Sequence, residues 1–189
     1  MDPHLYQHPS PLEGYENLDP LSNDRNPQDG KSLLNPTPTT TPPSTAYQKF
    51  PSPIHNGPLA AGFDIHIYFL PSNPTELAYA TALHERIRRE FPELRIYELK
   101  PHPIGPHPVG MFEVNLFTPA QFGAFVSWLV IWRGPLSALI HPNTGSNERD
   151  HTQRATWMGQ PYPLQTWMLR KLDEKNRQEA TKGNGTSAF

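Results

Sequence analysis

The order of strand-like and helix-like segments between residues 63 and 141 is the feature that most restricts how this chain can fold. Apolar and polar residues alternate over residues 63–69, which is typical of a strand with one buried face. Residues 73–76 (Asn-Pro-Thr-Glu) then supply a capping residue, a proline and an acid, the pattern that opens a helix. We expect that helix to end near Phe91, before Pro92, and a second strand to occupy residues 94–99.

The second half of this region repeats the same order. Residues 111–117 alternate as a third strand, and residues 118–121 (Thr-Pro-Ala-Gln) open a second helix that we expect to stop at Gly134. Residues 136–141 form the fourth predicted strand. The apolar residues of the second helix follow the spacing of a helix that faces a core: Phe122, Phe125, Val126, Leu129 and Trp132.

The resulting order, β-α-β-β-α-β, predicts an α+β protein with a ferredoxin-like sandwich, in which both helices cover one face of an antiparallel sheet. With the usual strand order 4-1-3-2, we expect strands one and three to be parallel neighbours and strand four to run antiparallel beside strand one. The other face of the sheet is expected to be free for a ligand or a partner. Fold alone assigns no function.

The distribution of proline sets the expected domain boundaries. Half of the 24 prolines lie in the first 60 residues, whereas all four tryptophans follow residue 60. We therefore predict a disordered Pro-rich arm over residues 1–60 and one compact domain over residues 61–172. Residues 173–189 are polar and are predicted to be a frayed tail.

Charge and hydropathy exclude several classes of partner. The net charge is −2, with −3 in the first 60 residues and +1 in the remainder, so we expect no nucleic-acid partner. The longest apolar run, residues 122–132, is too short to cross a bilayer, and no signal-peptide core is visible, so we expect a soluble, cytoplasmic protein with no membrane contact. The absence of cysteine excludes disulfides and thiolate ligands, so a metal would use imidazole, carboxylate or water.

Strand parity places several histidines on the face away from the helices. His66 shares that face with Asp64 and Tyr68, and His141 lies on it at the end of strand four. Under the parallel arrangement expected above, the loop over residues 102–108 enters strand three at the same edge. We therefore expect four imidazoles to converge, and such a set suits a non-haem metal. They are those of His66, of His102 or His107, of His141 and of His151.

Other interpretations of these residues remain open at this point. Glu113 could be a metal ligand, a partner of an imidazole, or an exposed strand residue. Asp150 could orient His151 as an acid or base, or could cap a short following turn. His102 and His107 could simply satisfy loop carbonyl groups.

Taken together, the histidine-bearing segments resemble the DOPA 4,5-dioxygenase family of fungi and bacteria. The resemblance spans about residues 62–170 and rests on several motifs in the right order. They are the segments 64–69 (Asp-Ile-His-Ile-Tyr-Phe), 102–108 (His-Pro-Ile-Gly-Pro-His-Pro), 111–114, 139–145, 150–152 and 157–159. The N-terminal arm is not part of the family pattern.

The resemblance implies an extradiol dioxygenase that opens L-DOPA or a related catechol with non-haem Fe(II) and O₂. It also implies a ferredoxin-like domain that often dimerises, so we expect a homodimer and a small-molecule catechol substrate. On this hypothesis His66, His107 and His141 hold the iron, with Glu113 as the alternative third ligand. His151 or His102 would move protons.

The same hypothesis assigns the substrate-binding residues by chemical type: Glu113, Tyr68, Arg154 and Trp157. Two other functions are compatible with the sequence. One is a non-catalytic metal- or catechol-binding protein, and the other is a dimeric interaction module whose open sheet face is its interface.

Overall fold

The structure is a computed structural model that describes residues 8–39, 41, 44–57 and 59–183. Two compact units divide the chain at Ser44 and Thr45. The described residues of the first unit form turns with short-range hydrogen bonds and one isolated bridge, between Arg25 and Leu33. That the arm is disordered stays a prediction.

The second unit contains all the regular strands and the four α-helices of the described residues. The strands are β1 (Phe63–Phe69), β2 (Arg95–Ile96), β3 (Gly110–Leu116), β4 (Ser137–Pro142) and β5 (Thr156–Met158). The helices are α1 (Pro74–Glu90), α2 (Pro119–Trp132), α3 (Asn147–His151) and α4 (Thr166–Gly183).

The five strands form one antiparallel sheet in the order β2-β3-β1-β4-β5. The first four strands and helices α1 and α2 confirm the ferredoxin-like order, to which β5 adds an edge strand. The expectation that strands one and three are parallel was wrong, because Phe63 pairs with Leu116 and Phe69 with Gly110. Strands β1 and β2 point the same way across the α1 crossover, so β3, which follows β2 directly, must run back along β1.

Helices α1 and α2 cover one face of the sheet, as predicted. The apolar side chains Ile65, Ile67 and Phe69 pack there against Leu83 and Ile87 of α1 and against residues of α2 in one buried cluster. The predicted caps start both helices: the side chains of Asn73 and Thr118 accept backbone N–H groups of their first turns. At the end of α2, Gly134 adopts φ +57°, the left-handed conformation of a helix stop.

The opposite face of the sheet is covered, in contrast to the free face that we expected. Tyr68 and Leu139 are fully buried there, and Trp157, Tyr162 and Leu164 pack on them. The backbone N–H of Gln165 donates to the carbonyl oxygen of Pro106, at 2.9 Å. This bond joins the segment that carries Trp157, Tyr162 and Leu164 to the loop before β3. Uncovered aromatic side chains on this face would leave a large apolar surface in water, which burial avoids.

The domain extends beyond both predicted boundaries. Phe50 is buried against the rings of Phe63 and Phe122, so residues from Thr45 onward pack with the sheet. On the other side, the expected tail at 173–189 is helical up to Gly183, and Asp173 is buried. Residues 184–189 lie outside the described residues. No helix in the described part is long and apolar enough to cross a membrane.

Candidate metal centre

Four imidazoles meet on the sheet face away from α1 and α2. They come from four separate segments: β1, the loop before β3, β4 and the end of α3. The ring centroids of His66 and His141 are 5.1 Å apart, and those of His66 and His107 are 4.2 Å apart. The centroid of His151 lies 3.8 Å from that of His141. The structure therefore brings together four of the five histidines expected here.

Strand register explains why His66 and His141 are neighbours. Asp64 lies opposite His141, and His66 lies opposite Leu139 on the same antiparallel pair. His66 and His141 are therefore diagonal neighbours on one face, within reach of each other's rings. Only 4% of His66 and 2% of His141 is exposed to solvent, so both rings are removed from water.

Helix α3 delivers His151 to the cluster, and α4 holds that helix in place. The carboxylate of Asp173 accepts the backbone N–H groups of Asn147, at 2.8 Å, and Glu148, at 3.1 Å. One turn later, Nδ1 of His151 lies 2.9 Å from the carbonyl oxygen of Asn147. The position of His151 thus depends on how α3 is anchored.

Two of the imidazoles have their tautomers fixed by backbone carbonyl groups. Nδ1 of His141 lies 2.9 Å from the carbonyl oxygen of Pro142, and Nδ1 of His151 makes the equivalent contact with Asn147. A carbonyl oxygen can only accept, so Nδ1 must carry the proton in both rings. The Nε2 atoms of His141 and His151 therefore present lone pairs, the state in which imidazole binds a metal.

The geometry of three of the histidines fits a single ion. One nitrogen of each of His66, His141 and His151 lies within 4.8 Å of the others, and the two Nε2 atoms of His66 and His141 are 3.0 Å apart. Two neighbouring ligands of one metal, each with a bond of about 2.1 Å, are separated by roughly 3 Å. Three imidazoles without thiolate suit iron, zinc, copper or nickel in the divalent state.

Burial keeps the cluster neutral. Burial lowers the pKa of His66 well below its usual value, and the neighbouring imidazoles lower it further. Burial also lowers the pKa of His141 and lowers that of His151 to about 4. Because only neutral imidazoles bind metals, the rings are in the required state at neutral pH without displacing protons.

His107 occupies a different position from the metal-ligand role assigned to it from the sequence. Its Nδ1 lies 2.7 Å from the hydroxyl oxygen of Tyr68, and both side chains are buried. Burial lowers the pKa of His107 to about 3 and raises the pKa of the Tyr68 hydroxyl, so the pair is neutral. The group of nitrogens that fits one ion contains His151 in place of His107, because α3 carries His151 over the end of β4.

Glu113 faces the cluster from β3. Its Oε2 atom is 3.8 Å from Nδ1 of His66, a buried atom with no hydrogen-bond partner among the described residues. The Asn115 side chain donates to Glu113 at 2.7 Å and also to the carboxylate of Asp64. Burial raises the pKa of Glu113, and the charge of Asp64 raises it further. Glu113 is therefore placed to accept a proton from Nδ1 of His66 when Nε2 binds a metal.

Asp150 and Arg154 contact each other and the loop after β4. Asp150 is buried and accepts the backbone N–H of Thr144 at 2.8 Å, its hydroxyl group, and the guanidinium of Arg154 at 3.0 Å. It therefore ties α3 to the loop after β4, through contacts with Thr144 and Arg154. Arg154 is engaged by this carboxylate rather than directed at the imidazoles.

The two remaining predicted site residues, His102 and Trp157, differ in their distance from the site. His102 is exposed in its loop and is not among the described residues that line the cleft over the imidazoles. Trp157 stacks on Tyr68 at a centroid distance of 5.4 Å, and Tyr162 packs on the same ring. The aromatic group thus forms a wall behind His107, with Tyr68 enclosed inside it.

Several polar residues near the cluster received no role from the sequence. Asp64 and Asn115 were placed on the correct face by strand parity, yet the hydrogen bond between them depends on the pairing of β1 with β3. Arg95 was missed because it belongs to a two-residue strand, and its proximity to Asn115 follows only from the register of β2 on β3. Cross-strand alignment of polar residues is the signal that could have identified them.

Comparison with known proteins gives a consistent family. The model described as "Dopa 4,5-dioxygenase family" matches residues 63–168, which include the four clustered histidines. An uncharacterised 21.2 kDa protein from Botryotinia fuckeliana is 56% identical over 181 residues, covering 92% of this chain and 97% of its own length.

Two further relatives carry the word dioxygenase in their names. A DOPA 4,5-dioxygenase from Amanita muscaria is 37% identical over 103 residues, and this match spans 52% of the present chain but only 45% of that protein. A crystal structure of a candidate dioxygenase from Nostoc punctiforme has a TM-score of 0.54 and 37% identity, covering 59% of this chain and 93% of the other. The resemblance noted in the sequence is thereby confirmed at the level of the family.

Proposed function

The chain belongs to the Dopa 4,5-dioxygenase family, and we propose that it is an extradiol dioxygenase that cleaves the ring of L-DOPA or a related catechol with O₂ at a non-haem iron(II) centre. The observation that carries this proposal is the group of three neutral imidazoles, two buried and one half-buried, with one nitrogen of each within 4.8 Å of the others. Of the metals that such ligands accept, iron is the one that matches oxygen chemistry on a catechol.

The residues that would hold the metal are His66, His141 and His151. When bound there, the ion would orient catechol and oxygen beside each other and polarise the oxygen. His141 and His151 are oriented by their Nδ1 contacts with backbone carbonyl groups. His66 would be oriented by the carboxylate of Glu113, which lies 3.8 Å from its free nitrogen.

His107 and Tyr68 are proposed as the pair that holds a proton for the reaction. Nδ1 of His107 is held by the Tyr68 hydroxyl at 2.7 Å, and its ring lies 4.2 Å from that of His66, between centroids. A neutral imidazole beside the metal can accept the proton that a catechol loses on binding and return it later. Trp157 and Tyr162 shield this pair from water by packing on Tyr68.

The test is anaerobic loading of the full chain with Fe(II), followed by addition of L-DOPA and then air. A ring-cleaving enzyme converts the catechol into a yellow semialdehyde and consumes one O₂ for each ring. A non-catalytic metal- or catechol-binding protein would give a charge-transfer colour without oxygen uptake, and that result would overturn the proposal.

Single substitutions separate the candidate ligands. We expect His66→Ala, His141→Ala and His151→Ala each to lose bound iron and turnover together, whereas His107→Ala retains iron and loses turnover. The control is His84→Gln, on α1, whose side chain contacts the carbonyl oxygen of Tyr97 at 3.0 Å on the other side of the sheet. Iron retained by His151→Ala and lost by His107→Ala would restore the ligand set first predicted from the sequence.

A further inference from the structure

The cleft over the imidazoles continues into a second, strongly polar cleft. The first has a volume of about 230 Å³ and the second about 390 Å³, and the two share Asp64, Glu113, Asn143 and Asn147 in their walls. Among the described residues that line either cleft, Arg95 is the only side chain with a permanent positive charge.

Strand register aligns the residues of the polar cleft with the imidazoles. Arg95 lies opposite Asn115, Asn115 lies opposite Asp64, and Asp64 lies opposite His141. Residues directly opposite each other in an antiparallel sheet share a face, so these four side chains form one row. With neighbouring strands about 4.8 Å apart, the backbone positions of Arg95 and His141 are separated by roughly 14 Å.

One buried amide organises the charges along this row. Asn115 is 1% exposed, and it donates to the carboxylates of both Asp64 and Glu113. Its Oδ1 atom accepts Nε of Arg95 at 2.5 Å, while the guanidinium lies over the ring of Phe117 at 4.7 Å. The positions of one cation and two anions are thus fixed before any ligand binds, which lowers the entropic cost of binding.

The charges of this group are not balanced by the protein alone. Asn115 links two carboxylates, those of Asp64 and Glu113, to one guanidinium, that of Arg95. A ligand that brings a positive group between these carboxylates would relieve the excess of negative charge.

We propose that Arg95, Asp64 and Glu113 recognise the zwitterionic α-amino-acid group of a catechol substrate, with the guanidinium on its carboxylate and the two acids on its ammonium group. This inference rests on the proposed function, because it places the catechol ring of the same molecule at the imidazoles. In this proposal Arg95, and not Arg154, binds the carboxylate of the substrate, because Arg154 forms an ion pair with Asp150. Arg95 is on this view a specificity-determining residue.

The test compares three catechols that differ only in these groups: L-DOPA, dopamine, which lacks the carboxylate, and 3,4-dihydroxyphenylpropionate, which lacks the ammonium group. A charged hydrogen bond contributes a factor of about 10 to 100 in affinity. Arg95→Gln should therefore lower kcat/KM by that factor for L-DOPA and for the propionate, mainly through KM, and leave dopamine within about threefold.

The acidic side gives the complementary result. Asp64→Asn should lower kcat/KM for L-DOPA and dopamine by about tenfold and leave the propionate unchanged or improved. Asp64→Ser serves as the second acidic variant if Asp64→Asn does not fold, because Glu113 also lies beside His66 and its loss would affect all three substrates. Arg88→Gln, an exposed arginine on α1 outside both clefts, is the matched control and should alter none of the three substrates.

Calorimetric binding of the same three compounds under anaerobic conditions separates this inference from the proposed function. If L-DOPA is cleaved but Arg95→Gln weakens all three catechols equally, or none, the recognition site is wrong and the enzyme assignment stands. If no catechol is cleaved, yet Arg95→Gln still selectively weakens binding of L-DOPA and 3,4-dihydroxyphenylpropionate, the two compounds with a carboxylate, the recognition site stands and the enzyme assignment fails. Equal binding of all three by both proteins overturns the recognition site.

Discussion

Asp173 provides a way to perturb the candidate metal centre without touching an imidazole. Its Oδ1 atom accepts the backbone N–H and the side-chain amide of Asn147, at 2.8 and 2.7 Å, and its Oδ2 atom accepts the backbone N–H of Glu148 at 3.1 Å. These are the first N–H groups of α3, so a carboxylate from α4 caps the helix that carries His151.

The magnitude follows from the groups that Asp173→Ala would leave without a partner. Loss of a helix cap costs about 0.5–2 kcal/mol, and a buried donor that loses a charged acceptor costs about 1–3 kcal/mol. Because the contributions overlap, we expect the free energy of unfolding to fall by about 2–4 kcal/mol. We also expect weaker metal binding, since an uncapped α3 no longer fixes His151.

Two measurements on the full chain check this expectation. Urea denaturation of the metal-free protein gives the change in stability, and titration with Co²⁺, followed by its visible absorption, gives the change in metal affinity. Glu174→Ala, at the next and exposed position of α4, is the matched control and should change stability by less than about 0.5 kcal/mol.

A double-mutant cycle then tests the proposed route through α3. If Asp173 acts on the metal through His151, its substitution should have little further effect on Co²⁺ affinity in a His151→Ala background. An equal loss of affinity in both backgrounds would refute that route. Stability of Asp173→Ala indistinguishable from that of Glu174→Ala would refute the capping argument itself.

Two further predictions concern stability. An unfolded histidine has a pKa near 6.5, whereas burial lowers the pKa of His151 to about 4 and that of His107 to about 3. The unfolded chain therefore binds protons that the folded chain excludes. As a result, the free energy of unfolding should fall from pH 6.5 towards pH 4 by up to about 1.4 kcal/mol per pH unit for each imidazole. Coincident urea denaturation curves of the metal-free protein at pH 7 and pH 5 would contradict this. Gly134→Ala places a Cβ in a residue at φ +57° and 2.3 Å from the ring of Tyr79, so the thermal midpoint should drop, whereas Gly123→Ala, in α2 with no atom within 4 Å, should raise it or leave it unchanged.

The regular part of the fold was predictable because local patterns determine it. The alternation over residues 63–69 matched β1 without error, and the caps at Asn73 and Thr118 located the starts of α1 and α2. Helix α4 was not predicted at all, because its sequence is mostly polar and tertiary contacts such as those of buried Asp173 hold it in place. Propensity carries no information about such contacts.

The site was predictable only as far as strand parity reaches. His66 and His141 lie on regular strands, and alternation places both on one face. The exchange of His107 for His151 depends on the path of a Pro-rich loop and on a five-residue helix, neither of which has a period to read. Arg95 depends on a register between two strands that no single segment encodes.

The covering of the imidazoles by α4 has a consequence for synthesis. His66 leaves the ribosome about a hundred residues before Leu172, which lines the cleft above it. Translation therefore exposes the early histidines to solvent for several seconds, at rates of about 5–20 residues per second, before α4 can pack over them. With this topology an incomplete nascent chain can bind a metal ion before the site is complete. Binding of the metal after the chain leaves the ribosome avoids this.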